Sequence, residues 1–144
     1  LVHVKLNGEM ASEFTFNALC AARLGVPSVF ISGDAEICGD ASAMVPGIAT
    51  VPVSEGFGPG TFSVTPSRAV SDIRARVEEA LSGALAGGLP AMPPEFTMDI
   101  QFSAPGLAYK VSFYPGAELI GPCEVRVKTS DYFDTLRALR FLLL

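Results

Sequence analysis

The alternation of strand-like and helix-like segments in the first third of the chain constrains the fold more than any other sequence feature. Residues 1–6 alternate polar and apolar side chains, and residues 26–32 are almost continuously apolar, as in a strand covered on both faces. A helix at 13–24 and a shorter one ending near Met44 separate these segments from a third strand at 48–53. This order and spacing predict a parallel sheet with right-handed crossovers.

The turn after the first strand precedes the first candidate site residue. Asn7-Gly8 is a turn dipeptide, because glycine accepts a positive φ and asparagine tolerates it. Ser12 is placed to cap the next helix, Glu13 lies in its first turn, and Gly25 is placed to end it. The free N–H groups and the helix dipole there favour an ionised carboxylate. Glu13 is therefore a candidate metal ligand, although acidic residues more often only begin helices.

A long helix and a short linker follow. Pro66 suits the first turn of a helix, and an apolar stripe at three- and four-residue steps runs from there to Leu85. The helix is expected to cover the sheet. Residues 87–95 are rich in glycine and proline and are too few for more than a joint between two parts of the structure.

The C-terminal part has its own strand and helix pattern. Residues 96–102 and 124–129 alternate as strands, the second with its charged face toward solvent, and a short helix is expected within 105–114. Ser130 or Asp131 is placed to cap a last helix. We therefore expect an α+β lobe here.

The predicted fold class is α/β, with a mostly parallel sheet flanked by helices and a smaller C-terminal α+β lobe. The sheet is assigned to residues 1–86, the linker to 87–95 and the lobe to 96–144. At 49% hydrophobic and 17% charged residues, the chain has enough apolar material for a sizeable core. Its mean hydropathy of +0.41 indicates further buried surface, either against a missing segment or between subunits.

Composition also excludes several classes of partner. The net charge is −5 and no basic cluster is present, which argues against nucleic acid as a partner. No apolar run approaches the ~20 residues of a membrane-spanning helix. Three widely spaced cysteines and no signal peptide fit a reducing cytoplasm, so we expect a cytoplasmic protein.

The supply of metal ligands is small. A catalytic zinc needs about three protein ligands, and the chain has one histidine, three cysteines and fifteen acidic residues, with no CxxC or HExxH motif. The chain alone is not expected to form a complete two-zinc site. Because Leu1 opens directly on a strand, we expect either that a further segment precedes it or that the protein is a naturally short, non-catalytic relative.

The order of several landmarks resembles the later portion of the bacterial zinc-dependent D-aminopeptidases of the dipeptide-transport type. The likeness spans essentially the whole chain, and it rests on order and spacing rather than on one specific motif. The landmarks are Asn7-Gly8 with Glu13, Gly25-Val26-Pro27, Gly33-Asp34, Val53-Ser54-Glu55-Gly56, Pro66, Pro115-Gly116 and Asp131-Tyr132.

The resemblance implies a metal-dependent aminopeptidase, with a two-zinc centre that hydrolyses the N-terminal bond of D-amino-acid peptides. Glu13 corresponds to one of its metal ligands, while an Asp-x-Glu pair, histidines and the catalytic histidine would lie upstream, so no catalytic residue is assigned to this chain. Family members are expected to form rings. Ser54 replaces a lysine that is usual in the family. A basic residue that is usual soon afterwards is absent around Pro59. Both departures bear on substrate range and activity.

Four other features have alternative interpretations. Asp34 could reach a site at the carboxyl edge of the sheet, but capping of the next helix explains it equally well and is preferred. Glu55, in a glycine-rich segment, is a weaker candidate for substrate or subunit contact. The glycines of 56–60 lack the following lysine of a phosphate-binding loop and indicate a mobile loop. His3, inside a strand, is expected to be structural.

Three functional hypotheses follow. The chain is part of a zinc aminopeptidase that acts on peptides, with Glu13 as a ligand. Alternatively, it is a non-catalytic module that forms a homo-oligomer or associates with a missing N-terminal segment. The third hypothesis is an α/β domain that binds a small molecule near Asn7, Asp34 and Glu55.

Overall fold

The computed structural model describes residues 1–83 and 87–143. The strands of the described residues are β1 (His3–Leu6), β2 (Glu9–Met10), β3 (Phe30–Asp34), β4 (Ala49–Phe57), β5 (Gly60–Ser63), β6 (Phe96–Gln101), β7 (Ala117–Gly121) and β8 (Glu124–Thr129). The helices are α1 (Glu13–Arg23), α2 (Ala35–Met44), α3 (Pro66–Ser82), α4 (Pro105–Val111) and α5 (Tyr132–Leu142). Leu85, the predicted end of the long apolar stripe, lies outside the described residues.

The chain divides into two compact units, one made of Leu1–Phe16 with Met92–Leu144 and the other of Asn17–Ala91. This division differs from the predicted boundaries at residues 86 and 96, because the N-terminal strand belongs to the same sheet as the C-terminal strands. The predicted linker, 87–95, includes the point where the second unit passes back into the first.

The sheet of the first unit is antiparallel throughout, in the order β2-β1-β6-β8-β7. The prediction of a mostly parallel sheet was therefore wrong. The strand β1 pairs with β6, with His3 opposite Gln101, and it does not join β3 and β4. Alternation along a strand fixes which side chains face the core, but it does not specify the neighbouring strand or its direction.

The apolar face of this sheet forms the core of the first unit. The core includes buried residues of three strands, each at most 6% exposed: Val4, Met98, Ile100 and Val125. Helices α4 and α5 pack on this side, and Tyr132 of α5 is also buried. Polar residues of the same strands alternate onto the opposite face, as the pleat requires.

The second unit contains a three-stranded sheet in the order β3-β4-β5. β3 and β4 are parallel and are connected through α2, so the predicted strand–helix–strand unit is confirmed for these elements. Both α2 and α3 pack against β4. Pro66 begins α3 as predicted, and Thr65 occupies the capping position without a side-chain hydrogen bond to the helix.

Residues 56–60 form the end of an antiparallel hairpin. The prediction of a mobile loop for these residues was therefore wrong. Gly56 and Phe57 continue β4, Gly60 begins β5, and the connection is the two-residue turn Gly58-Pro59. Gly58 has a φ of 56°, which is a conformation that glycine adopts without strain. Glu55 is consequently a strand residue opposite Phe62 and not a loop residue.

Candidate functional site

Helix α1 begins at Glu13, as the sequence predicts, and Ser12 provides its cap. The Thr15 amide donates to Ser12 Oγ at 3.3 Å, and the Ser12 amide donates in return to Thr15 Oγ1 at 3.1 Å. This reciprocal pair satisfies N–H groups at the helix start that have no partner within the helix. The cap therefore holds the backbone at Glu13 in the conformation of a helix start.

The Glu13 carboxylate is exposed in the first turn of α1. Within residues 1–83 and 87–143 it makes no hydrogen bond and no ion pair. Its oxygens are thus available to an external cation, which is the first requirement of a ligand.

The Asn7-Gly8 turn forms a hairpin between β1 and β2, so Glu13 follows the short strand β2 rather than β1 directly. Asn7 has a φ of 52° and Gly8 a φ of 90°, as their turn chemistry predicts. The Asn7 side chain also links this turn to β6. Its Oδ1 accepts from the Thr97 amide at 2.7 Å, and its Nδ2 donates to the Glu95 carbonyl at 3.1 Å.

The first turns of α1 have a second anchor at Tyr132. The hydroxyl of this buried side chain donates to the Phe16 carbonyl at 2.6 Å and so connects α5 to α1. The Asn7 turn and the Tyr132 hydroxyl hold the chain before and after Glu13. Sequence reasoning missed both links, because their partners lie 88 and 116 residues away along the chain.

Asp34 caps α2, and the preferred sequence interpretation is confirmed. Its Oδ1 accepts from the Ile37 amide at 2.9 Å. Asp34 also lines an open cleft of about 420 Å³ together with Ser54, Glu55 and Thr61. The structure therefore brings Asp34 and Glu55 to one cleft in the second unit, whereas Glu13 belongs to the first unit.

His3 is half-buried in β1 and lies opposite Gln101 of β6. Cys38 is 4% exposed in α2, and this burial raises the pKa of its thiol above the ordinary value. A raised pKa keeps the thiol protonated at neutral pH, so Cys38 is poorly suited to act as a nucleophile or a metal ligand.

In the part of the chain that the structure describes, no three or more His, Cys, Asp or Glu side chains are arranged to hold a metal ion. A zinc site needs about three protein ligands, and Glu13 supplies one. The described residues therefore do not fit a zinc ion by themselves. Among these same residues no helix is long and apolar enough to cross a membrane.

A family model described as D-aminopeptidase, peptidase family M55, matches residues 1–141. The chain belongs to this family. It is also similar to a solved structure, the Zn-dependent D-aminopeptidase DppA from Bacillus subtilis, described as a self-compartmentalizing protease. The TM-score is 0.85 and the sequence identity 21%, so the two proteins share a fold. No curated protein matches the sequence.

The match covers 98% of this chain and 52% of the solved relative, so the chain spans about half of that protein's length. Family membership confirms the resemblance drawn from the order of the landmarks. The chain combines an antiparallel sheet with a βαβ unit, and the solved relative shares this fold.

Proposed function

We propose that this chain is the portion of a zinc-dependent D-aminopeptidase that contributes Glu13 as a metal ligand. Membership of the D-aminopeptidase family supports the reaction class, and the Zn-dependent relative supports the metal. The substrate would be a peptide with an N-terminal D-amino acid. The observation that carries the proposal is the exposed Glu13 carboxylate, which has no partner in the described residues.

The remaining ligands and the catalytic groups are proposed to lie outside this chain. The solved relative is about twice as long as the matched region, so the other half of such a protein has room for them. The role assigned to this chain is to present one carboxylate from a rigid helix start. The Ser12 cap, the Asn7 turn and the Tyr132 hydroxyl support that role by fixing the backbone around it.

Self-assembly is the second element of the proposal. The solved relative is described as self-compartmentalizing, and the mean hydropathy of this chain, +0.41, is high. We propose a cytoplasmic homo-oligomer, on the further ground that the sparse cysteines fit a reducing compartment. The alternative, a non-catalytic assembly module, is favoured by the exposed aromatic side chains of the β4–β5 hairpin.

The test is to exchange Glu13→Gln in the full-length protein and to measure bound zinc and hydrolysis of a D-amino-acid dipeptide. Glutamine keeps the size of the side chain but removes its charge. We expect zinc content to fall and activity to drop at least about 100-fold, because even groups that only support a ligand contribute 10–100-fold.

Glu9→Gln is the matched control, since Glu9 is an exposed carboxylate on the neighbouring strand β2. It should retain both zinc and activity. Full zinc content and full activity in Glu13→Gln would overturn the proposal. Assembly without zinc or hydrolysis in the unmodified protein would favour the non-catalytic module.

A further inference from the structure

The Asn7-Gly8 turn contains the two groups that react in deamidation, the conversion of asparagine to aspartate without an enzyme. In this reaction the backbone nitrogen of the next residue attacks the side-chain Cγ, and glycine hinders the attack least because it has no side chain. Asn7 and Gly8 are both exposed. Among the described residues, no heavy atom other than those of Gly8 and its two neighbours lies within 4 Å of the place that a Cβ on Gly8 would occupy. The Gly8 backbone is therefore open to water.

The reaction proceeds through a cyclic imide. Hydroxide removes the Gly8 N–H proton, the nitrogen forms a bond to Asn7 Cγ, and the Cγ–Nδ2 bond breaks. Nδ2 leaves as ammonia with a proton from water, which regenerates the hydroxide. Water then adds to one of the two imide carbonyls, and the bond from that carbon to the Gly8 nitrogen breaks. The product is aspartate, or isoaspartate with the backbone running through Cβ and Cγ.

The folded protein holds the Asn7 side chain away from this reaction. Asn7 Oδ1 accepts from the Thr97 amide at 2.7 Å, and Nδ2 donates to the Glu95 carbonyl at 3.1 Å. The Asn7 backbone amide also donates to the Thr97 carbonyl at 2.7 Å. Both ends of the side-chain amide, and the backbone beside it, are thus bound to residues 95–97. The amide has to leave these partners before Cγ reaches the Gly8 nitrogen.

The backbone conformation of the turn is a second restriction. The φ values of 52° at Asn7 and 90° at Gly8 are those of a two-residue type I′ hairpin turn, closed by the pairing of Leu6 with Glu9. Ring closure brings the Gly8 nitrogen into one plane with the Asn7 Cβ, which requires rotation about the Cα–C bond of Asn7. That rotation takes the residue out of the turn conformation.

We propose that Asn7 is a deamidation site that is closed in the folded protein and reacts when β1 separates from residues 95–97. Native proteins open locally, and the reaction rate then follows the population of the open form. The inference does not depend on Glu13 being a metal ligand, because it concerns only the turn and its partners on β6.

Deamidation changes what the turn binds. In aspartate an oxygen replaces Nδ2, so an acceptor faces the Glu95 carbonyl where a donor was before. Isoaspartate adds a backbone carbon to a two-residue turn, which alters the pairing of Leu6 with Glu9. Both products therefore weaken the link between β1 and residues 95–97, and refolding does not restore it.

The experiment follows the peptide 6–23 of the full-length protein, which trypsin releases by cleavage after Lys5 and Arg23. The protein is incubated at mildly alkaline pH with and without denaturing guanidinium chloride. Mass spectrometry with fragmentation then measures conversion at Asn7. We expect conversion to be at least about tenfold slower in the folded protein, since each hydrogen bond to residues 95–97 stabilises the closed form.

Asn17 is the matched control within the same peptide. It is exposed in α1 and is followed by Ala18, whose methyl group hinders the attack on Cγ. In denaturant Asn17 should convert more slowly than Asn7, and fragmentation separates the two positions. Equal conversion at Asn7 and Asn17 in denaturant would contradict the role given to Gly8.

Met98→Ala tests in the folded protein whether opening controls the rate. Met98 is 1% exposed and pairs with Leu6, so the truncation destabilises the strand pair beside the turn without changing the reacting groups. Asn7 should convert faster in this variant than in the unmodified folded protein, and at the same rate in denaturant. If Met98→Ala does not fold, Val4→Ala, a smaller truncation in β1, replaces it.

Three results would each overturn the proposal. The first is no conversion at Asn7 in denaturant, and the second is equal conversion in the folded and denatured protein. The third is a folded variant, truncated in the β1–β6 pair, in which Asn7 converts no faster than in the unmodified protein.

Discussion

Asp99 of β6 and Arg126 of β8 lie opposite each other and form a bidentate ion pair. Arg126 Nε donates to Asp99 Oδ1 at 2.6 Å, and Nη2 donates to Oδ2 at 2.7 Å. The hydrogen bonds from Arg126 lower the pKa of Asp99, although its burial acts in the opposite direction. Lys5 on β1 and Glu118 on β7 extend the row, so charges alternate across four strands.

We expect Asp99→Asn to lower the free energy of unfolding by about 2 kcal/mol at pH 7, the usual contribution of hydrogen bonds to a charged group. A lowered folded-state pKa stabilises the protein above the ordinary value of about 3.9, and this stabilisation is lost as the pH falls through the folded-state pKa. The difference between variant and unmodified protein should therefore shrink below about pH 4. Urea denaturation of both proteins at several pH values measures this difference in the free energy of unfolding.

Asp40→Asn, at an exposed position of α2, is the control for this experiment and should change the free energy of unfolding little at any pH. A difference between Asp99→Asn and the unmodified protein that stays constant from pH 7 to pH 3 would contradict the role given to the ion pair.

Asn7 contributes to the stability of the turn in two ways, through its side-chain hydrogen bonds and through its tolerance of a positive φ, and two substitutions separate these contributions. Asn7→Gly keeps the positive φ accessible and the backbone bond to the Thr97 carbonyl, but it loses the two side-chain bonds to Glu95 and Thr97. It should lower the free energy of unfolding by about 1–2 kcal/mol. Asn7→Ala loses the same side-chain bonds, and unlike glycine it holds a Cβ at positive φ, so it should be about 1 kcal/mol less stable than Asn7→Gly. Thermal and chemical denaturation of both variants measure this order. Equal stability of Asn7→Ala and the unmodified protein would show that the turn has no such role.

The Tyr132 hydroxyl is expected to matter for both stability and zinc binding. Tyr132→Phe removes one buried hydrogen bond to the Phe16 carbonyl and should lower the free energy of unfolding by about 1–2 kcal/mol. Because this bond holds the first turns of α1, the full-length variant should also bind zinc more weakly. Tyr109→Phe, on the exposed side of α4, is the control. Stability and zinc affinity equal to those of the control would refute the prediction.

The sequence predicts the helix ends well, because each signal is local. Ser12 caps α1, Gly25 adopts a φ of 72° just after its end, and Asp34 caps α2. Asp131 caps α5 by accepting from the amides of Phe133 and Asp134. In each case the deciding partner is at most three residues away, so the pattern contains all the information that is needed.

Strand pairing was the main source of error, since it depends on distant partners. The pattern of residues 1–6 suits an antiparallel neighbour as well as a parallel one, and nothing near Leu6 indicates that Met98 is its partner. Likewise, the alternation of 124–129 places Arg126 on a polar face. It does not reveal that Arg126 pairs with Asp99 on the neighbouring strand, or that 35% of the Arg126 side chain is exposed.

For the candidate site, the sequence places Glu13 at a helix start, and the structure agrees. Its role as a metal ligand stays a prediction. A metal site is defined by side chains that converge in space, and the described residues provide no such convergence around a metal. Spacing within this chain therefore does not identify the other ligands.

The pairing of β1 with β6 also affects the order in which the protein forms during synthesis. The second unit is a continuous stretch, Asn17–Ala91, and is free to fold as soon as it has left the ribosome. The Asn7 turn has to wait for residues that emerge 88 positions later. We therefore expect nascent chains to keep β1 accessible to chaperones and proteases until β6 has emerged.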